Sequence, residues 1–281
     1  MNVGIAGLGL MGGSFGRAVI KNTPHAVFGC DINPDVEKKA RELNAINGIL
    51  SEETARSLDL LVLAVTPEHV RGLLDKFAPA LKRGAVVVDF CGVKRSVVKI
   101  MKEYSEKYPG ITFIGGHPMA GRELSGIDNS RADLFDGASM IFVNVNADES
   151  VFGRMKEFFL SAGFGRVEVT TAEEHDATIA YTSQLCHVTS NAYIKSPTAE
   201  KHLGFSAGSY RDLTRVARLD ADMWADLMTE NADYLKGELQ TLINNLNEYL
   251  AAVSAGDVGR LKTLLKDGND RKIGIDQKGD D

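Results

Sequence analysis

The sequence predicts an α/β domain built on a parallel sheet, followed by a domain made only of helices. Three observations carry this. Short apolar runs alternate with helix-patterned stretches over residues 1 to about 170, a glycine-rich turn follows the first run, and the strand signal stops near residue 172, leaving long helical periodicities. At 281 residues the chain has room for two domains and falls short of three. The expected division is 1–170, 171–268 and a polar tail over 269–281.

Seven runs read as strands: NVGIAG, HAVFGCD, LDLLVLAV, GAVVVDF, ITFIGG, SMIFVNV and GRVEVTT. Between them, 12–20, 34–43, 67–81, 96–108 and 149–162 have helical spacing, several opened by Pro or Ser, which suit a first helical turn. This βαβ alternation places helices on both faces of the sheet. Beyond it, 173–194, 220–252 and 257–266 read as helices, and the charged run NDRKIGIDQKGDD after Gly268 reads as a frayed tail.

Composition narrows the partners. A formal charge of −6 argues against nucleic acid, whose recognition needs clustered basic surface to displace counterions, and favours a small ligand. Cys30, Cys91 and Cys186 lack CxxC spacing, so neither a disulfide framework nor a metal site is expected, and reduced thiols fit the cytoplasm. No apolar run is long enough to span a bilayer, and Met1 leads straight into a strand with no signal-peptide pattern.

The string GLGLMG sets Gly7, Gly9 and Gly12 in GxGxxG register, after a strand and at the opening of a helix. The first glycine permits the tight turn, the second lets backbone approach a pyrophosphate, and the third lets helix and strand pack closely. Leu8, Leu10 and Met11 complete the loop, and the helix N-terminus offers unpaired N–H groups and a favourable dipole to the anion. Asp31 ends HAVFGCD at about the 20-residue spacing expected of the acid that accepts from the adenosine ribose hydroxyls. A carboxylate there repels a 2′-phosphate, so NAD is favoured over NADP. The competing readings are a glycine turn that binds another nucleotide or none, and Asp31 as a turn residue. Val65, Thr66 and Pro67 in LAVTPEHV, and Cys91 and Gly92 in DFCGVK, fall at carboxyl ends of strands, where ligands bind in such Rossmann-type sheets. Pro67 is equally a helix opener.

The segment GGHPMAGRELSGIDNSRADLFDGASMI closely resembles a stretch of the prephenate dehydrogenases. GLGLMGGS, DFCGVK, HDATIAYTSQLCH and SYRDLTRVARLDADMW are similar to further motifs of that family in the same order, so the resemblance covers nearly the whole chain except the tail. It implies a Rossmann-type domain followed by an all-α dimerisation domain. The implied reaction is oxidative decarboxylation of prephenate to 4-hydroxyphenylpyruvate with reduction of NAD, a step toward tyrosine. One base and a set of carboxylate-binding groups suffice for it. His117 matches the catalytic histidine, and its near-neutral intrinsic pKa suits a proton acceptor. His187 matches a histidine that contacts substrate, and Arg215 matches the arginine that grips a substrate carboxylate through its planar fork. Trp224 falls where the family has a pocket tryptophan.

The residues themselves leave blander readings open. Asp176, Ala180, Ser183, Gln184 and His187 share a helix face, a pocket wall or simply polar groups satisfied between packed helices. Arg211, Arg215 and Arg218 could form a solvated basic face, and Trp224 could be plain core. Three positions depart from the family pattern. Gln184 replaces the first histidine of the usual SHLPH; Gly92 replaces a serine that helps orient the catalytic histidine, a role open to Cys91 or water; and Arg122 replaces a threonine, adding a cation for the substrate's side-chain carboxylate. The resemblance implies a homodimer paired through the helical domain, with 235–250 as a compatible apolar stripe. The chain also reads as monofunctional, with no added mutase-like or regulatory segment. Arogenate dehydrogenase is the alternative substrate assignment. A β-hydroxyacid dehydrogenase shares the GLGxMG start but lacks HPMAGRE and TRVAR, and an NAD-binding sensor on the same fold would need no base at His117.

Overall fold

A computed structural model describes residues 1–121 and 124–279. The first strands alternate with helices as the pattern dictates: β1 (Asn2–Ala6), α1 (Leu10–Asn22), β2 (Ala26–Cys30), α2 (Pro34–Glu42), β3 (Gly48–Ile49), α3 (Glu52–Ala55), β4 (Leu60–Leu63), α4 (Pro67–Phe77), β5 (Val86–Asp89), α5 (Arg95–Lys107) and β6 (Thr112–Pro118). These six strands run parallel in the spatial order 3-2-1-4-5-6, with β1 at the centre between β2 and β4. The order reverses direction at β1, which opens a crevice at the carboxyl ends of the strands. β4 (LLVL) and β5 (VVVD) are buried at every position, because helices cover both faces.

The sheet continues with β7 (Ser139–Asn144), α6 (Glu149–Ser161) and β8 (Arg166–Val169), and here it departs from the expected all-parallel arrangement. β7 runs antiparallel to β6, and β8 runs parallel to β7. A parallel return needs a crossover helix, whereas 119–138 supplies only a one-turn 3₁₀ helix among the described residues, so the chain comes back in the opposite direction. β8 is the exposed edge, where Arg166 and Glu168 discourage further strand pairing. The two-residue β3 was not visible in the sequence, being too short to carry a period.

On one face of the sheet, aromatic rings from α1, α6 and the loops form the core. Phe15 stacks on Phe159 at 5.3 Å and meets Phe90 edge-on at 5.0 Å, while Phe135 stacks on Phe164 at 4.8 Å. The other face is aliphatic, filled by Leu61, Leu63, Val70, Leu74, Val97 and Met101, with Phe77 and Phe113.

After the sheet come α7 (Ala172–Ile179), a π-helical turn (Ala180–Leu185), α8 (Cys186–Tyr193), α9 (Gly208–Thr214), α10 (Ala221–Glu230), α11 (Ala232–Ser254) and α12 (Val258–Gly279). The chain divides into two compact units, Met1–Asn231 and Ala232–Asp281, so α7 to α10 fold with the sheet. The helix expected over 220–252 is interrupted at Asn231. That residue is fully buried, with its amide bonded to Asp176, Gln184 and Arg95. The tail is also corrected: α12 continues to Gly279 rather than fraying after Gly268. Lys266–Asp270, Asp267–Arg271 and Lys272–Asp276 pair at i,i+4 along it, so charges that look like disorder in one dimension align as partners on a helix.

Candidate active site

The glycine loop has the geometry a dinucleotide requires. Gly7 sits at φ +91°, and a Cβ there would lie 2.4 Å from the Ala64 carbonyl; a Cβ on Gly12 would lie 1.9 Å from the Gly7 carbonyl. At Gly9, by contrast, a Cβ would meet no protein atom within 4 Å, which leaves the space open to a ligand. Gly9 is also the N-cap of α1 and supplies no side-chain cap, whereas α2, α6, α7 and α10 are capped by Asn33, Asp148, Thr171 and Asp220. The first N–H groups of α1 are therefore directed at solvent, where an anion fits them.

Asp31 is tied to the same loop. Leu8 N donates to one of its carboxylate oxygens at 2.8 Å and Asn33 N to the other at 3.0 Å, which orients the carboxylate at the end of β2. The neighbouring Ile32 is 98% exposed, an apolar surface at the same edge of the sheet. Val65 and Thr66 are half-buried, Pro67 is buried as the first residue of α4, and Thr66 Oγ1 bonds His69 Nδ1 at 2.8 Å. Cys91 is buried. Its thiol donates to the Val65 carbonyl at 3.2 Å, and burial pushes its pKa well up, so it remains a thiol. It does not orient His117, the substitute role open to it from sequence. Gly92 is half-buried beside it, and a Cβ there would make ordinary contact with Leu227 at 3.4 Å.

His117 is the sixth residue of β6, at the carboxyl end of the sheet and in register with Ile141 of β7. Its backbone is fixed by a buried ion pair. Lys94 Nζ bonds the Asp89 carboxylate and donates to the Gly116 carbonyl at 2.6 Å, while Gly116 N donates back to Asp89 at 3.0 Å. Both charged side chains are sealed from water. The His117 ring meets His175 of α7, with Nδ1 and Nε2 2.8 Å apart. His175 Nδ1 in turn lies 2.7 Å from Asp176 Oδ1. Asp176 accepts from Lys94 N at 2.7 Å, and from Arg95 N at 2.9 Å and Nε at 3.2 Å. Desolvation, then the proximity of His175 and the Lys94 charge, hold the His117 pKa well below the ordinary imidazole value, with Asp176 opposing them. Burial likewise lowers His175, against the pull of Asp176. Burial alone would raise Asp176, but the His175 ring and the Arg95 and Lys94 amides bring it below the usual carboxylate range.

The helical residues separate into two groups. His187 stacks on Trp224 with centroids 3.8 Å apart and 29° between planes, and its Nδ1 lies 2.9 Å from the Ser183 carbonyl. Four residues on, Asn191 donates to the Ala217 carbonyl at 3.2 Å, which brings the turn Arg215–Ala217 against α8 with Arg215 exposed. Gln184 has the setting of the packing alternative that the sequence left open. It is buried, its Nε2 donates to the Leu227 carbonyl at 3.0 Å, and its Oε1 accepts from Asn231 at 2.9 Å, so both ends of the amide are used internally. Arg122 lies outside the described residues. His175, Asp176 as a hydrogen-bond hub, Lys94 and Asp89 were missed as site residues, although HDATIAY and DFCGVK contain all four. Among the described residues, no group of three or more His, Cys, Asp or Glu side chains is placed to hold a metal ion.

The fold and glycine loop define a dinucleotide-binding oxidoreductase with an appended helical segment. Residues 15–168 match the prephenate dehydrogenase nucleotide-binding domain and residues 171–267 match the prephenate dehydrogenase dimerization domain, so the chain belongs to the prephenate dehydrogenase family. Cyclohexadienyl dehydrogenase of Zymomonas mobilis is 29% identical over 284 residues, covering 98% of this chain and 96% of that protein. Prephenate dehydrogenase of Bacillus subtilis is 26% identical over 289 residues, covering 98% and 76%. The structure of prephenate dehydrogenase from Aquifex aeolicus in complex with hydroxyphenyl propionate and NAD+ is similar with a TM-score of 0.82 at 26% identity, over 98% of each chain.

The glycine geometry separates two substitutions. Gly9→Val should leave the thermal midpoint near that of the wild type while weakening NAD binding by about tenfold or more, as read by calorimetric titration. Gly12→Val should lower the midpoint as well, because its side chain overlaps the Gly7 carbonyl.

Proposed function

We propose that this protein catalyses the NAD-dependent oxidative decarboxylation of prephenate to 4-hydroxyphenylpyruvate, with His117 as the general base. The carrying observation is a buried histidine whose surroundings lower its pKa, at the same carboxyl edge of the sheet as an uncapped glycine loop with open space beside Gly9. NAD supplies the hydride acceptor when bound, held by Gly7 to Gly12 and Asp31, with Val65, Thr66, Pro67, Cys91 and Gly92 along the strand ends. Residues 1–170 serve the cofactor, and 171–268 serve substrate and subunit pairing.

His117 has a cyclic task. The ring carbon bearing the hydroxyl loses hydride, the hydroxyl proton passes to His117, and departure of the ring carboxylate as carbon dioxide leaves a phenolate. The same histidine then returns the proton to that oxygen, so the reaction releases no net proton and the imidazole ends as it began. A base must be deprotonated before each cycle, and a lowered pKa keeps it so. Arg215 grips a substrate carboxylate, and the His187–Trp224 stack forms part of the pocket wall.

Purified protein with NAD should produce NADH from prephenate, measured by absorbance with arogenate and NADP in parallel arms. Preference for arogenate would move the substrate assignment, and NAD binding without turnover would favour a sensor. His117→Asn should lower kcat by about 10²–10⁴-fold. The sign of the pH dependence follows from the neutral form being active. With the folded pKa depressed, activity persists as pH drops past the ordinary 6.5 and is lost only on reaching the lowered value, so the acid limb of kcat/KM should lie below 6.5. Arg215→Ala should raise KM for prephenate by about tenfold or more, because a charge-assisted bond is lost; an unchanged KM would remove Arg215 from the site.

The subunit reading is a homodimer in the cytoplasm. All three cysteines are free thiols, and no helix among the described residues is long and apolar enough to cross a membrane. Within the second unit, Ile243, Leu246, Leu250 and Val253 of α11 recur at three- and four-residue steps and are all exposed, a stripe that a second copy would cover. Leu246→Glu combined with Leu250→Glu should convert a dimer to a monomer in sedimentation velocity; an unchanged dimer would place the interface elsewhere.

A further inference from the structure

We infer that His175 and Asp176 act with His117 as a three-residue proton-positioning relay, in which Asp176 fixes the tautomer of His175 and His175 fixes the tautomer and ring plane of His117. The inference rests on the reading of His117 as the base.

The argument begins at Asp176. Its carboxylate can only accept, so the His175 nitrogen 2.7 Å away, Nδ1, carries the hydrogen. A neutral His175 then has its lone pair on Nε2. That nitrogen faces His117 Nδ1 at 2.8 Å, and a lone pair there requires a donor, so His117 bears its hydrogen on Nδ1. The bare nitrogen of His117 is consequently Nε2, the one not turned toward α7, and this is the atom that accepts the substrate's hydroxyl proton. The opposite assignment would put the His175 lone pair against a carboxylate, two acceptors at hydrogen-bond distance with nothing between them.

The arrangement is held from both sides. Asp176 is fixed by the Lys94 and Arg95 amides and by Arg95 Nε, and its own carbonyl accepts from Asn231 Nδ2 at 2.8 Å. His175 is buried, so water cannot compete for the bond to His117. The relay also serves the protonated stage. When His117 takes the proton, a cation appears beside Lys94, and among the described residues the carboxylate in line with the ring is Asp176, reached through His175. Proton acceptance at Nε2 needs no bond-making elsewhere; the Nδ1–H bond shortens toward His175 as charge develops, and the return of the proton reverses this. His175 and Asp176 are buried and act through His117, so their part is positioning.

The test compares two replacements of similar size. His175→Gln keeps an acceptor where Nε2 stands, and His175→Leu removes it. With prephenate and NAD, His175→Leu should lower kcat by about 10²-fold with the NAD dissociation constant unchanged, and His175→Gln should recover most of that loss. A purely packing role predicts the reverse order or no difference between the two. Wild-type kcat in His175→Leu, or equal loss in both variants, would overturn the relay. Nitrogen NMR of the imidazoles in the wild-type protein with NAD gives a readout independent of whether either variant folds: protons on Nδ1 of both His117 and His175 are expected, and a proton on His117 Nε2 would overturn the assignment. An inactive wild type would instead defeat the catalytic reading, whereas an active wild type that His117→Asn abolishes and His175→Leu does not would defeat the relay alone.

Discussion

A lysine and an aspartate sealed from water at the carboxyl end of β5 set the position of everything around His117. Burying a charge is tolerable only when its partners are complete. Asp89 accepts from Cys91 N, Gly116 N and Lys94 Nζ, and Lys94 also donates to the Gly116 carbonyl. Gly116 is therefore gripped at both its N–H and its C=O, and it must be glycine, since a Cβ would come within 2.4 Å of the Asp89 carbonyl. Removing one member of such a pair typically costs about 3–5 kcal/mol, because the other charge is stranded. The next residue along is His117. Its main chain thus rests on the sheet and on this pair, where a loop would let the ring wander by more than proton transfer tolerates.

The same stretch of chain fastens the helices to the sheet. α5 begins at Arg95 with no cap from its own side chains, and Asp176 of α7 accepts from the Lys94 and Arg95 amides in place of one. A carboxylate at a helix N-terminus also meets the favourable end of the dipole. The tie spans 82 residues of sequence, between Lys94 and Asp176. It explains why α7 to α10 belong to the compact unit of the sheet although strand patterning ends before them. Asn231, at the break after α10, closes the arrangement by bonding Asp176, Gln184 and Arg95 together.

What could be read in one dimension was whatever depends on local pattern. Buried parallel strands announce themselves as apolar runs, and the glycine loop shows itself through spacing, so the β1–α1 turn, seven of the strands and the place of His117 on a strand end were legible. β3 escaped because two residues carry no period, and the reversal at β7 because direction is decided by the connection rather than by the strand. α12 was hidden because charged residues look alike whether solvated singly or paired at i,i+4. The relay partners were hidden for a deeper reason. His175 beside Asp176, and Lys94 in DFCGVK, are residue types that usually face water, and nothing in their neighbours says that the chain will fold back 58 residues later to bury them against His117.

Two of the three departures from the family pattern, Gly92 and Gln184, lie near each other in the fold through Leu227. Gly92 provides no side-chain hydroxyl, and the His117 Nδ1 has His175 as its partner. The Leu227 side chain borders the space that a Cβ on Gly92 would enter, and the Leu227 carbonyl accepts from Gln184, the other departure. Gln184 accepts in turn from Asn231, which donates to the Asp176 carbonyl. The Gln184 amide donates to Leu227 and accepts from Asn231 at once, in a buried setting where an unmatched group is costly. Gln184 and Asn231 thus tie Leu227 of α10 to the Asp176 carbonyl of α7, the helix whose His175 meets the His117 ring.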